Sequence, residues 1–254
     1  MKKVILMASF MVLGISFNSC TSDSNSTGKY AYKVRMTDAP GPYDQVNIDL
    51  QAVEVIGSNG QTITLNTTAG IYNLLTLSNG VNTIIATSAL GDVNASQIRL
   101  LLGTNNTVVV NGVSHPLDTP SADQSGLKIN VTQTLLQNVE NEILIDFDAN
   151  TSVVATGAGT YKLKPVLRTV DVTASGSIKG TITPVGTLAT VTATSATNVV
   201  YSSNVNALGQ FQVLGLPAGV YSFTITPILP LLPVTQVNVA VTAGVATNIG
   251  AIAL

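Results

Sequence analysis

The sequence predicts an all-β protein with two β-sandwich domains in tandem, and three observations support this prediction. Valine, isoleucine and threonine, which favour strands, are abundant, whereas charged residues make up only 9% of the chain against about 25% in typical soluble domains. Apolar and polar residues alternate with a period of two, and no helical period extends beyond two turns. Turn-rich segments separate the alternating runs at the spacing expected of a sandwich.

The N-terminal segment predicts export from the cytoplasm. Lys2 and Lys3 precede an apolar run over residues 4–17. A helix that spans a bilayer needs roughly 20 apolar residues, so this run is too short to be a permanent span. A positive start, a short apolar core and the small residue Ser19 are typical of a signal peptide. We therefore expect a cleaved signal peptide over residues 1–19.

Cys20 is the only cysteine of the chain and directly follows that segment. The stretch FNSC resembles the lipobox of bacterial lipoproteins, although Phe17 and Asn18 depart from its usual pattern. The resemblance implies acyl chains on Cys20, and two or three chains make a stable anchor. Residues 20–28 would then be a polar tether, and the protein an outer-membrane lipoprotein of the cell envelope that faces the periplasm or the surface. The alternative is a plain secretory signal with an incidental cysteine.

A change in composition predicts the boundary between the two domains. Between Val172 and Leu254 the only ionisable acid or base is Lys179, whereas charges in the preceding segment are sparse but normal in kind. The small-residue stretch TASGS lies where the change occurs. We expect one β-sandwich domain over residues 29–173 and a second over residues 174–254.

Alternation predicts individual strands of the first domain. In YKVRM, the side chains of Tyr32, Val34 and Met36 share one face. In VNIDLQAVEVIG the apolar set changes parity between Leu50 and Val53, which predicts a β-bulge near residues 51–53. EILIDFDA and YKLKPVLRTV alternate in the same way, and DAPGPY, GSNG, LSNG, GTNN and TPSADQSG end the strands. We expect these strands to form an antiparallel sandwich.

Carboxylates in this domain allow two interpretations. Asp146 and Asp148 are two apart on a predicted solvent-facing strand side, and the lysines of YKLK are arranged alike, which favours cross-strand charge pairing. The alternative is a calcium or other hard-cation site in which Asp38 or Asp44 joins them. No close-spaced loop supplies the six or more oxygen ligands that calcium takes, so we expect no metal or cofactor. Asp38, in TDAP, is expected to accept hydrogen bonds from backbone amides of its own turn.

Six motifs of the first domain follow one another in a distinctive order: MTDAPGPYDQVNIDLQAVEVIG, NLLTLSNG, QIRLLL, VNGVSHPLDTPSADQSGLKI, IDFDANTSVV and YKLKPVLRTV. In this order they resemble a large family of exported bacterial and archaeal proteins, many of them lipoproteins, that is known only as a domain of unknown function. The resemblance covers residues 29–171. It implies an exported β protein and no particular activity.

Residues that could support catalysis or nucleic-acid binding are scarce. His115 is the only histidine, so zinc ligands are lacking. A serine triad of His115 with Ser114 or Ser121 would lack a G-x-S-x-G elbow, and an acid pair on the EILIDFDA strand would lack an apolar pocket. The formal net charge of −2, without a basic cluster, argues against nucleic acid as a partner. We expect a protein that is not an enzyme.

The second domain contains NALGQFQVLGLPAGVYSFTITP, in which apolar residues alternate on both sides of a tight connection. It resembles the small prealbumin-like sandwich called a carboxypeptidase regulatory-like domain, whose wider fold superfamily includes carbohydrate-binding domains. The matching residues are Gly209, Phe211, Gly215, Leu216, Pro217, Gly219 and Tyr221. The later stretch ITPILPLLPV is expected to fill the core, or alternatively to form an apolar patch for a partner.

These observations predict a membrane-anchored module for binding or adhesion, with a glycan as the first ligand class to test and a surface protein as another partner. The alternative is a structural spacer or an assembly subunit of a cell-surface complex. Exposed aromatic residues that line a groove would favour binding. A flat polar surface with an open apolar strand edge would favour the structural role.

Overall fold

The computed structural model of the protein describes residues 30–39, 41–91, 94–120, 125–133, 135–171 and 174–254. Most of these residues lie in strands, which confirms the all-β prediction. The described part also contains a 3-10 turn over Leu74–Leu77 and a four-residue helix, α1 (Ala149–Ser152). The predicted signal peptide, Cys20 and the tether lie outside the described residues.

We call residues 30–171 the first unit. Its strands, in chain order, are β1 (Tyr30–Ala39), β2 (Gln45–Gly57), β3 (Thr62–Thr64), β4 (Asn66–Thr67), β5 (Gly70–Asn73), β6 (Thr83–Leu90), β7 (Ala95–Leu102), β8 (Thr107–Val110), β9 (Val113–Asp118), β10 (Leu127–Gln133), β11 (Glu140–Asp148), β12 (Val153–Gly157), β13 (Thr160–Leu163) and β14 (Leu167–Val170). In the described residues one sheet has the order β14-β11-β1-β6-β4. The other has the order β10-β7-β2-β8-β9-β13-β12, with β3 and β5 also paired to β2.

The two sheets of the first unit enclose one hydrophobic core, and the predicted alternation explains it. Tyr32, Val34 and Met36 are buried together with apolar residues of β2 from the opposite sheet. The register of β2 against β7 shifts between Leu50 and Ala52, which confirms the predicted bulge. Because the bulge inserts one residue, it returns the following apolar residues to the core side.

Residues 174–254 form the second unit. Its strands are β15 (Ser175–Thr183), β16 (Ala189–Ser195), β17 (Val200–Asn204), β18 (Gln210–Pro217), β19 (Gly219–Pro227), β20 (Val234–Val241) and β21 (Ala246–Ala253). They form two sheets of order β18-β15-β21 and β17-β16-β19-β20. The rings of Phe211 and Phe223, from the two sheets, lie 5.4 Å apart between their centroids within a separate hydrophobic core.

Two expectations about these units require correction. Most strand pairs are antiparallel as predicted, but β1 with β11, β9 with β13 and β15 with β21 are parallel. The expectation that ITPILPLLPV fills the core is wrong, because Ile228, Leu229 and Leu232 are exposed. Its prolines have no amide hydrogen for a sheet ladder, so the segment leaves the sheet as a loop.

The units meet through a small set of specific contacts. The Asn79 Nδ2 atom donates a 3.0 Å hydrogen bond to the backbone oxygen of Gln210. The guanidinium carbon of Arg168 lies 4.4 Å from the ring centroid of Tyr201, a cation–π geometry. Leu144 and Val170, at the same junction, are buried but belong to neither hydrophobic core.

Candidate functional site

The parallel register of β1 and β11 brings the predicted carboxylates together at the junction. Thr37 lies opposite Asp146, and Asp38 lies opposite Phe147, the residue between Asp146 and Asp148. The charges of both acids act on the Asp38 carboxyl group. The expectation that Asp146 faces solvent is wrong, because this residue is only 5% exposed. Second-unit residues such as Ser203 line a small cavity shared with Asp146, so the second unit covers this side of the sheet.

Asp146 does pair with a basic residue across strands, but not with the predicted lysines. The antiparallel register of β11 and β14 sets Asp146 opposite Arg168. The Arg168 Nε atom donates a 2.6 Å hydrogen bond to Asp146 Oδ2, and Nη2 contacts the same oxygen. Burial raises the pKa of the Asp146 carboxyl, while the Arg168 guanidinium acts in the opposite direction. Arg168 thus links this acid to Tyr201 of the second unit.

Asp38 is a buried carboxyl group with a single protein donor. Its Oδ1 accepts a 3.0 Å hydrogen bond from the backbone N–H of Ala149, at the start of α1, and not from its own turn as expected. Its Oδ2 has no hydrogen-bond partner among the described residues. Burial raises the pKa of Asp38 to about 9, and the nearby charges of Asp146 and Asp148 act in the same direction. The group is therefore protonated at neutral pH.

Asp148 is the N-cap residue of α1. Its Oδ1 accepts a 2.9 Å hydrogen bond from the Thr151 N–H and so caps the N-terminus of α1. Asp44 lies elsewhere and accepts a 2.7 Å bond from the Gly112 N–H. Within the described ranges, no group of three or more histidine, cysteine or acidic residues could hold a metal ion.

The cavity beside these acids is small and polar. Its volume is about 10 Å³, and Asp38, Asn79 and Ser203 are among the residues that line it. Three buried polar atoms beside it have no hydrogen-bond partner in the described part of the chain: Asp38 Oδ2, Asn79 Oδ1 and Ser203 Oγ. This volume is near the lower limit for a single water molecule. The carboxyl cluster therefore has no room for a solute.

A larger hollow lies on the first unit, beside the paired strands β9 and β13. Its volume is about 570 Å³, within the range of small-molecule sites. Most of its lining residues have hydroxyl, amide or charged side chains, and one has an aromatic ring. The lining residues are Thr104, Asn106, Pro116, Leu117, Asp118, Thr119, Thr156, Gly159, Thr160, Tyr161 and Lys162.

The parallel register of β9 and β13 positions the charged and aromatic groups of the hollow. Tyr161 lies opposite Leu117, and Lys162 lies opposite Asp118. The Lys162 Nζ and Asp118 Oδ2 atoms are 3.5 Å apart, and both side chains are about half exposed. The His115 ring packs on the Tyr161 ring, with centroids 5.2 Å apart and planes tilted by 54°. His115 thus supports the wall of the hollow.

A turn over residues 103–106 forms another part of the wall, and Asp49 shapes it. The Asp49 carboxylate accepts hydrogen bonds from Asn105 N at 3.2 Å and from Asn105 Nδ2 at 3.0 Å. The Asp49 N–H donates a 2.8 Å bond to Asn106 Oδ1. A Cβ atom on Gly103 would lie 2.3 Å from Asp49 Oδ2, so a larger residue there would displace the Asp49 carboxylate. These contacts orient Thr104 and Asn106.

The hollow was not predicted from the sequence, although two of its parts were. The GTNN turn and the Tyr161 strand were predicted. The parallel pairing of β9 with β13 joins residues 44 positions apart, such as Leu117 and Tyr161, and has no local signature. Asp49 lies in a run that was assigned by its apolar residues alone. The amide-rich GTNN turn was the available signal, because a nearby carboxylate often binds such donors.

Among the described residues, Ser114 is not placed to form a triad with His115. Ser114 and His115 are adjacent on β9, so their side chains project to opposite sides of the strand. Ser121 lies outside the described residues.

Within the described segments, no helix is long and apolar enough to cross a membrane.

Comparison with known proteins gives a family for the first unit. Residues 31–165 match the family model described as a domain of unknown function, DUF4382. No curated protein matches the chain.

Solved structures offer distant likenesses. The Bacillus anthracis TIE protein is 10% identical with a TM-score of 0.25, over 88% of this chain and 34% of that one. The pilus backbone RrgB from Streptococcus pneumoniae is 12% identical with a TM-score of 0.21, over 89% and 64%. The shaft pilin SpaA from Lactobacillus rhamnosus GG is 9% identical with a TM-score of 0.19, over 88% and 96%. The chain thus spans about a third of the length of the first of these proteins. TM-scores this low support no inference about function.

Proposed function

The chain belongs to the DUF4382 family, a domain of unknown function, and we propose that it is a lipid-anchored, non-enzymatic binding protein of the cell envelope. The observation that supports binding is the open hollow beside Tyr161. The proposed ligand class is a glycan. The anchor is Cys20, which follows the apolar N-terminal segment directly.

The lining of the hollow suits a sugar. Sugar hydroxyl groups both donate and accept hydrogen bonds, and threonine hydroxyls and the Asp118–Lys162 pair offer both functions. The apolar face of a sugar ring can pack on an aromatic ring, which Tyr161 provides. The His115 ring packs on that ring. An open hollow of about 570 Å³ fits one or two sugar rings at the end of a chain better than an enclosed small molecule.

A glycan array probed with residues 21–254 tests the ligand class. We expect binding to a restricted set of glycans and a loss of at least about tenfold in affinity for Tyr161→Ala, because the stacking surface is removed. The matched control is Tyr72→Ala, a partly exposed tyrosine outside the hollow whose hydroxyl donates to the Thr68 backbone oxygen. Equal binding by the wild type and Tyr161→Ala would contradict the assignment of the hollow.

Metabolic labelling with a clickable palmitate tests the anchor. The wild type is expected to incorporate the label and to fractionate with membranes, and Cys20→Ser is expected to do neither, because the acyl chains attach at this residue. Equal labelling of the two proteins would contradict the lipoprotein assignment and leave the glycan proposal untouched.

A structural role as a spacer or assembly subunit is the second candidate, and the second unit favours it. Its sheets end in edge strands such as β20 and β21, and its described residues contain one side chain that is charged at neutral pH, Lys179. Edge strands without charged residues are open to pairing with another chain. A blank glycan array together with concentration-dependent assembly of the purified protein would favour this role over binding.

A further inference from the structure

One end of the second unit exposes six aliphatic side chains. They belong to the three loops that connect β15 to β16, β17 to β18 and β19 to β20. We call this set the apolar loop end. Its members are Val185, Leu188, Leu208, Ile228, Leu229 and Leu232.

Strand register and hydrogen bonds place these three loops together. The first residue of β16, Ala189, lies opposite Pro227, the last residue of β19. The Ile228 N–H donates a 3.1 Å bond to the Leu188 backbone oxygen, which joins two of the loops. A Cβ on Gly209 would lie 3.7 Å from Val185 Cγ2, which places the third loop beside the first.

The composition of the loops suits an apolar environment. They contain no ionisable residue, and residues 227–233 read PILPLLP, so three of seven backbone positions have no amide hydrogen to desolvate. The tip is the most exposed part, with Leu229 at 83% and Leu232 at 77%. We propose that the apolar loop end inserts into the interfacial region of a lipid bilayer.

A bilayer fits this surface better than a protein partner does. The centres of protein interfaces are enriched in aromatic residues, methionine and arginine, and leucine and valine are rare among their hot spots. The apolar loop end has only aliphatic side chains, which gain by transfer into hydrocarbon without any specific geometry. Asp44 of the first unit lines a groove beside Leu188 and Ile228. The inserting part is therefore the outer set: Val185, Leu208, Leu229 and Leu232.

Single-tryptophan variants test insertion directly, because the chain has no tryptophan of its own. Residues 21–254 retain every described residue and lack Cys20, so the result is independent of the proposed lipid anchor. With phosphatidylcholine vesicles, Leu229→Trp should show a blue-shifted emission and quenching by brominated acyl chains. The control is Val220→Trp, since Val220 is exposed at the opposite end of β19 and should stay in water.

Vesicle flotation supplies the loss-of-function measurement. The Leu229→Ser, Leu232→Ser double variant should bind vesicles at least about tenfold more weakly, since two leucines no longer enter the hydrocarbon, while Val220→Ser should bind as the wild type does. Binding should persist in high salt, because no charge on the loops is involved. Absence of a blue shift at Leu229→Trp, or an equal shift at Val220→Trp, would overturn the proposal. A vesicle-independent dimer that the double serine variant abolishes would overturn it too, by assigning the surface to a second copy of the chain.

Discussion

Asp38 combines two opposing features in one side chain. It is buried, which penalises its charged form, and it accepts one hydrogen bond from the Ala149 N–H, which favours that form. Burial prevails, because a single backbone donor cannot replace the hydration of a carboxylate. A neutral carboxyl can also donate a hydrogen bond from Oδ2 toward the small polar cavity that Asn79 and Ser203 line. The acid is thus suited to this position only while it holds its proton.

Because Asp38 is protonated in the folded protein, we expect the protein to lose stability as the pH rises. In the folded state the pKa of Asp38 is raised to about 9 from its usual 3.8. Between these two pH values the folded state binds a proton that the unfolded state releases. The contribution of Asp38 to the free energy of unfolding is therefore complete at low pH and is lost as the pH approaches 9. We expect the melting temperature to fall between pH 5 and pH 9. Asp38→Asn should flatten this dependence, because a neutral amide does not titrate.

Circular dichroism melts over that pH range measure the effect. Asp118→Asn is a suitable control, because Asp118 is about half exposed and pairs with Lys162 on the surface. It should leave the slope of the wild type unchanged. Identical slopes for the wild type and Asp38→Asn would show that Asp38 is ionised in the folded protein.

At the scale of elements, the turn over residues 103–106 depends on an acid from a neighbouring strand. Asp49 is buried and accepts hydrogen bonds from both the backbone and the side chain of Asn105. Asp49→Ala should lower the free energy of unfolding by about 2 kcal/mol, because it leaves buried donors without acceptors. It should also weaken the binding of any ligand in the hollow, since the turn that carries Thr104 would lose its two hydrogen bonds through Asn105.

Urea denaturation and the glycan array together test this role. The control is Asp44→Ala, which removes an acid with an exposed bond to the Gly112 N–H and should cost less than about 1 kcal/mol. A similar small loss for Asp49→Ala would mean that the turn holds its shape without the carboxylate.

Local patterns predicted the elements well and their non-local pairing poorly. The β-bulge was predictable because one extra residue changes the parity of the apolar set, as it does between Leu50 and Ala52. The burial of Asp146 was not, because it depends on a second unit that covers an outward strand face. The partner of Asp146 was missed for a related reason: Arg168 reaches it through a strand pairing that no short motif records. The hollow depends on such pairing too.

At the scale of the whole molecule, the two hydrophobic cores are built from separate parts of the chain. One core draws on buried residues from Tyr30 to Leu163, and the other on buried residues from Ile178 to Ile252. Between them lie polar contacts, a cation–π pair and a few buried apolar residues such as Val170. Interfaces of this kind hold domains in a preferred arrangement without being required for the folding of either.

We propose on this ground that the chain divides near residues 173 and 174. Residues 29–173 alone should unfold in one cooperative transition, because their core is complete within the segment. The transition should lie below that of the first unit in the full chain, since Arg168 loses the Tyr201 ring and Asn79 loses the Gln210 oxygen.

Calorimetry of this fragment and of the full chain provides the measurement, with Tyr201→Leu in the full chain as the matched control. Leucine keeps an apolar side chain at a buried position and removes the ring beneath the guanidinium, together with its edge contact with the Tyr221 ring in the second unit. The variant should lower the transition temperature of the first unit, but by less than the difference in transition temperature between the full chain and the fragment. The reason is that a cation–π contact contributes only about 0.5–2 kcal/mol. A fragment that lacks a cooperative transition would mean that the first unit depends on the second for its fold, and that the boundary predicted from composition is not a domain boundary.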